Sequence, residues 1–193
     1  MSVRKILAVV LGSGLLLGAT NVSAAPPTAS MLADTCAGCH GPDGSSVGPA
    51  IPSIAGMSAE YFNTTMAEYK TGERYSTIMT RIAKGYTDEE IALMADFFAG
   101  KEFVRFAQDV DATKVKAGEK LYGKSCEKCH EDNGASPGDD AGILAGQWLP
   151  YLNYTMADFT SDRREMPKKM KKKVEKLSAD DIEALMHFFA SQQ

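Results

Sequence analysis

Cysteine is scarce in this 193-residue chain, which has four, and none stands apart from one short repeated motif. No thiol is left for a separate disulfide framework. Histidine is scarcer still, at three, and there is a single tryptophan. No sustained apolar–polar alternation marks a β-strand, so the expected fold is all-α. Beyond the first two dozen residues no apolar run approaches the roughly 20 residues a bilayer span needs, so no membrane span is expected in the mature chain. Strong basicity is also missing: 21 Lys and Arg stand against 25 Asp and Glu, a formal charge of -4. A mildly acidic chain gives no reason to expect nucleic acid as a partner.

The chain opens on MSVRKILAVVLGSGLLLGATNVSAAPPT. Arg4 and Lys5 precede an apolar run, Ile6 to Leu17, and Val22-Ser23-Ala24 supplies small residues at a cleavage position. This is the pattern of a secretory signal peptide over residues 1–24, with the cut after Ala24. The run is short for a membrane anchor. Loss of Arg4 and Lys5 takes the charge from -4 to -6, since the segment holds no Asp or Glu. The expected location is periplasmic.

The four cysteines stand in CAGCH, Cys36–His40, and CEKCH, Cys126–His130. C-x-x-C followed at once by His is the pattern of c-type haem attachment. Cysteines three apart share one side of a helical turn, where two sulfurs can bond two haem vinyl groups. The adjacent His then lies under the ring. Cys36, Cys39, Cys126 and Cys129 are the expected attachment points of two covalent haem c groups, and His40 and His130 the proximal iron ligands. A zinc finger does not use this spacing, and a thioredoxin-like site needs no such His.

The chain repeats itself. Cys36 and Cys126 lie 90 residues apart, as do Gly56 and Gly146, Asn63 and Asn153, and Met66 and Met156. Near the ends the offset is 91, pairing Phe97-Phe98 with Phe188-Phe189, so one residue is added between Phe159 and Ser178. The implied organisation is a first unit over 25–105, a link over 106–112 and a second unit over 113–193. Units of about 80 residues bury little core alone, and a large apolar haem would supply much of it. Thr87-x-x-Glu90 and Ser178-x-x-Asp181 predict capped final helices, with Gly100 ending the first. Ser58–Lys70 and Trp148–Phe159 read as middle helices, and GPDGSSVGPAIPS and EDNGASPGDD as loops.

Short helices with CxxCH near the start and a longer helix at the end resemble the small monohaem, class I cytochrome c fold, here in tandem. The third histidine, His187, reads as an ordinary helix residue. A Met is then the expected second axial ligand of each iron. Of Met57, Met66, Met79 and Met94, Met66 and Met94 lie on helix faces with other apolar residues and read as packing residues. Met79, in STIMTRIAKGY, stands where such cytochromes carry the distal ligand. In the second unit Met170 lies eight residues before Ser178, as Met79 lies eight before Thr87. Met166, followed by Pro167 in a frequent ligand context, is the alternative. Two Met-ligated irons are closed to substrate, so no residue is read as catalytic. Gly48-Pro49 resembles the loop whose Pro carbonyl accepts the proximal His proton; the second unit has Gly138-Asp139 there, with Pro137 nearby.

The segments MLADTCAGCHGPDGSSVGPAIPSIAG, STIMTRIAKGY, CEKCH, ILAGQWLPYLNYTMADF and FFASQQ resemble the dihaem cytochrome subunit of flavocytochrome c sulfide dehydrogenase. The resemblance implies a heterodimer. A flavoprotein subunit oxidises sulfide, and this chain accepts the electrons and passes them to a small soluble cytochrome or similar acceptor. It would be an electron-transfer subunit of an oxidoreductase, not catalytic alone. The alternative is a free periplasmic dihaem cytochrome that carries electrons to a terminal oxidase. A dihaem peroxidase is disfavoured, because it keeps one iron open. The basic run from Arg163 to Lys176 reads equally as a steering patch for an acidic acceptor or as a solvated helix face. Trp148, Tyr151 and Tyr154 read as contact between the two units or as core, and Ile51–Met57 and Ile143–Trp148 as a partner dock or as pocket lining.

Overall fold

A computed structural model describes residues 25–193; the export segment expected over residues 1–24 lies outside the described residues. The first half contains α1 (Ala29–Asp34), α2 (Ala37–His40), α3 (Ala59–Thr71), α4 (Met79–Ile82) and α5 (Asp88–Ala99). The second contains α6 (Ala112–Ser125), α7 (Glu131–Gly134), α8 (Leu149–Thr160), α9 (Lys168–Val174) and α10 (Ala179–Ser191). Among the described residues the only strand-like pairing is one isolated bridge, Arg74 to Arg164. The all-α expectation holds.

Local signals place most of these elements. Thr87 and Ser178 each form a full capping box, with Glu90 and Asp181 reaching back to the cap N–H. Each cap satisfies donors that an uncapped helix end leaves open, worth about 1 kcal/mol. Ser58 caps α3 through Tyr61 N, and Gly72 ends it at φ 85°. Helices α1 and α6 ahead of each motif are additional to the sequence reading. Their caps were visible in the chain: Thr28 accepts from Met31 N, and Asp111 from Thr113 N and Lys114 N.

Each half builds its own core. Leu32, Phe62, Met66, Ile91, Met94 and Phe98 close the first; Tyr122, Leu152, Leu185, Phe188 and Phe189 close the second. Met66 and Met94 are core residues, as their helix faces imply. The last helix of each half crosses the helix before its CxxCH. Gly118 makes the α6–α10 crossing close: a Cβ there would stand 2.7 Å from the Phe188 Cβ.

The halves dock through a continuous seam. Trp148 Nε1 donates to Ser46 O at 2.8 Å, and Tyr151 N to Pro49 O at 3.1 Å. Tyr154 is 60% exposed and takes no part in a core. Segments Ile51–Met57 and Ile143–Trp148 meet each other across this seam, through Ser53 with Gln147 and Ile143 with Met57. From the connecting stretch, Gln108 Nε2 donates to Gln147 O and Ala190 O, and Gln108 Oε1 accepts from Leu149 N. The 90-residue offset persists late in the chain. Arg74 N donates to Glu68 O as Arg164 N does to Asp158 O, and Gly72 and Asp162 both have positive φ. The added residue of the second half therefore falls after Arg164.

Candidate haem centres

Both CxxCH motifs sit at a helix-to-loop corner. In the first half Cys36 caps α2, and His40 N donates to Cys36 O at 2.9 Å, so the motif closes one helical turn. His130 N makes the same bond to Cys126 O at 3.0 Å. No disulfide joins the four cysteines; Cys36 and Cys126 are half-buried, and Cys39 and Cys129 exposed. Burial pushes the Cys36 and Cys126 thiols up, with Lys173 drawing Cys126 down in part.

His40 is buried, and its Nδ1 lies 2.8 Å from Pro52 O. A carbonyl only accepts, so Nδ1 carries the proton and Nε2 keeps its lone pair. Burial holds the imidazole below its ordinary pKa, with the Pro52 carbonyl opposing. This is the tautomer an iron ligand needs. The acceptor is Pro52 and not Pro49. A turn closed by Ile51 N to Gly48 O redirects the loop, and Pro49 O faces the other half, where it receives Tyr151 N.

The second half solves the same corner differently. Gly41 and Gly44 supply φ of 83° and 85° after His40; Gly134 repeats Gly44 at 86°, but Gly41 has Glu131 as its counterpart. After His130, Asp132 and Asn133 take φ of 52° and 56°, a costly conformation for residues with a Cβ. Tyr122 holds them: its hydroxyl donates to His130 O at 2.7 Å and accepts from Asn133 N at 2.9 Å. Gly142 stands where the first half has Pro52. A Cβ there would lie 2.7 Å from the Tyr61 ring, which leaves no room for proline. Among the described residues neither ring nitrogen of His130 is hydrogen-bonded to the protein; its ring meets Phe189 edge-on at 6.3 Å. Burial holds His130 also below its ordinary pKa.

The methionines expected to complete the centres lie on the short helices. Met79 opens α4, half-buried against the first core, with its N–H bonded to Ser76 Oγ at 3.0 Å. Met170 is the third residue of α9, and Met166 precedes the Pro167 cap; both are half-buried. Met57 is buried at the seam, where its sulfur accepts from Ile143 N at 3.2 Å. His187 Nδ1 accepts from Asp111 N at 3.1 Å, a structural role at the start of α6.

The donor set fits covalent haem. In each motif two thiols precede an imidazole whose Nε2 makes no hydrogen bond to the protein among the described residues, and a thioether is available on a later helix. Among the described residues no group of three or more His, Cys, Asp and Glu side chains is gathered for a bare metal ion.

At the seam Arg74 is 6% exposed. Its guanidinium lies 3.0 Å from Thr65 Oγ1 and 3.6 Å from Glu68. Burial works against that charge, but Tyr61, Tyr69 and Tyr151 around it more than offset the effect and hold its pKa up. Sequence periodicity carried no sign of this cluster, because its members come from α3, α8 and the turn at Arg74.

Two helical units, each closing a CxxCH corner over its own core, define a tandem c-type cytochrome. Comparisons with known proteins agree. Residues 28–100 match the cytochrome c family, and residues 113–189 the family described as cytochrome C oxidase, cbb3-type, subunit III. The chain is 31% identical to cytochrome c4 of Azotobacter vinelandii over 200 residues, covering 90% of this chain and 93% of that one. It is 54% identical to the cytochrome subunit of sulfide dehydrogenase of Chlorobaculum tepidum over 68 residues, 35% of this chain and 61% of that protein. The crystal structure of reduced cytochrome c4 from Pseudomonas stutzeri superposes with a TM-score of 0.74 at 26% identity, covering 86% of this chain and 97% of that one. The chain belongs to the dihaem cytochrome c family and carries two covalent haem c groups. Its function is electron transfer. Among the described residues no helix is long and apolar enough to cross a membrane.

Proposed function

We propose that this chain is the electron-transfer subunit of a periplasmic sulfide dehydrogenase. It accepts electrons from a flavoprotein subunit and passes them to a small soluble acceptor. The observation that carries the reading is the 54% identity to a cytochrome subunit of sulfide dehydrogenase. The units are residues 25–105 and 113–193, joined by 106–112. Cys36 and Cys39 anchor the first haem, with His40 and Met79 on its iron; Cys126 and Cys129 anchor the second, with His130 and Met170. Haem bound there supplies a one-electron carrier that cycles between ferric and ferrous iron. The Pro52 carbonyl fixes the His40 tautomer, and Met79 and Met170 would close the irons to substrate, which would favour electron transfer over substrate chemistry. Hydrogen bonds across the seam, Trp148 to Ser46 and Gln147 with Ser53, hold the two halves together.

A second reading has its own support. The cytochrome c4 likeness covers both halves, whereas the sulfide dehydrogenase likeness spans 68 residues. On that reading the chain is a free periplasmic carrier that delivers electrons to a terminal oxidase. Purification from the native source under mild conditions separates the two. A co-purifying flavoprotein, with flavin absorbance beneath the haem bands, supports the dehydrogenase. A lone dihaem chain without flavin refutes it.

A further inference from the structure

We infer that Gln147, a residue of the second half, is a positioning residue for the haem centre of the first half. It acts through the single peptide group that accepts the His40 proton. The inference rests on His40 being an iron ligand.

The chain of bonds is short and continuous. His40 Nδ1–H donates to Pro52 O at 2.8 Å. Pro52 C=O and Ser53 N–H belong to one peptide group. That N–H donates to Gln147 Oε1 at 2.9 Å, across the seam between the halves. The orientation of the Gln147 amide is fixed by its partners: Nε2 donates to Ser53 O at 2.8 Å and to Ile143 O at 3.3 Å, and only nitrogen can meet two carbonyls. Gln147 is 1% exposed and Ser53 2%, so water does not compete for these bonds.

Hydrogen bonds in series through one peptide polarise each other in a low-dielectric interior. When Gln147 Oε1 accepts the Ser53 N–H hydrogen bond, electron density shifts onto Pro52 O, which becomes a better acceptor. The stronger bond gives the His40 ring more imidazolate character. A more basic ring favours ferric over ferrous iron and lowers the reduction potential of that centre.

The repeat supplies an internal comparison. At the 90-residue offset, Pro52 answers to Gly142, Ser53 to Ile143 and Met57 to Gln147. The mirrored bond exists: Ile143 N–H donates to Met57 Sδ at 3.2 Å. Its acceptor is a thioether, which is weak. Among the described residues no bond links the Gly142–Ile143 peptide to His130. The same seam therefore tunes one haem strongly and leaves the other untuned, which separates two potentials in a chain built by duplication.

Gln147→Met tests the idea. Methionine occupies the mirrored position, so the seam accommodates its shape. Spectroelectrochemical titration of the holoprotein should show one midpoint rising and the other unmoved. The ferrous to ferric ratio at a fixed potential should increase for that haem by up to about tenfold, or ~59 mV for a one-electron couple. Gln147→Leu, with no acceptor at all, should move the same midpoint at least as far. In the ferrous holoprotein the His40 Nδ1–H resonance should shift upfield as its bond weakens, while that of His130 stays. Two unmoved midpoints, two that move together, or a downward shift overturn the inference. Ligation is checked separately: an unchanged low-spin spectrum in His40→Ala refutes the ligand reading, whereas unmoved midpoints in low-spin Gln147→Met refute the relay alone.

Discussion

Gly118 gives the sharpest stability prediction. It sits in α6 where α10 crosses, and a Cβ added there falls far inside contact distance of Ala184 O and 2.7 Å from the Phe188 Cβ. Neither atom is the end of a flexible side chain, so the helices must part. The α10 residues that leave their places, Leu185, Phe188 and Phe189, pack with Tyr122 in the second core. Overpacking of this kind costs about 1–3 kcal/mol. Against it stands the better helix propensity of alanine, about 1 kcal/mol. The clash should win, leaving a net loss of up to about 2 kcal/mol, or up to roughly 8 °C in Tm for a chain of this size. Gly123 in the same helix is the control. A Cβ there meets nothing nearer than Glu127 Oε2 at 4.0 Å. Gly123→Ala should therefore raise Tm, and Gly118→Ala should lower it, in thermal melts of the holoprotein followed by circular dichroism. A Gly118→Ala protein as stable as Gly123→Ala would refute the close crossing.

Other outcomes follow from the same geometry. Met170→Ala should remove one of two Met-ligated low-spin signals, and Met166→Ala should leave both; the reverse would move the ligand to Met166. Asp181 is held below its ordinary carboxylate range by the Ser178 N–H and hydroxyl. Its contribution is present above about pH 4, the unfolded range, and is lost as pH falls through the lowered folded value. Asp181→Asn should therefore flatten the acid limb of the stability curve below pH 4, and an unchanged limb would show that the capping box carries no charge-dependent stability. The haem-loaded chain alone should turn over no sulfide, because all its cysteines are committed to haem attachment; measured turnover would place the oxidising site in this chain.

Much of the fold is legible where signals are local. Capping boxes work because a side chain reaches a backbone N–H three residues away, so Thr87 and Ser178 announce their helices. CxxCH works because one helical turn sets the spacing of two thiols and an imidazole. The repeat then carries each assignment from one half to the other. What is hidden lies across the seam. Ser53 and Gln147 are 94 residues apart, and no periodicity joins them. Pro49 looks like the acceptor for His40 because it follows a glycine, but the Gly48–Ile51 turn gives that place to Pro52. Tyr122 likewise holds Asp132 and Asn133 at positive φ by bonding at a distance, which composition does not reveal.

The central claim is that one chain holds two separate, closed electron-transfer centres. A reductive titration of the purified holoprotein, with haem content measured on the same sample, tests it most directly. The account predicts two covalent haems per chain, two one-electron steps at different midpoints, and no binding of carbon monoxide to either ferrous centre. One haem per chain, or a ferrous iron that binds carbon monoxide readily, would contradict it.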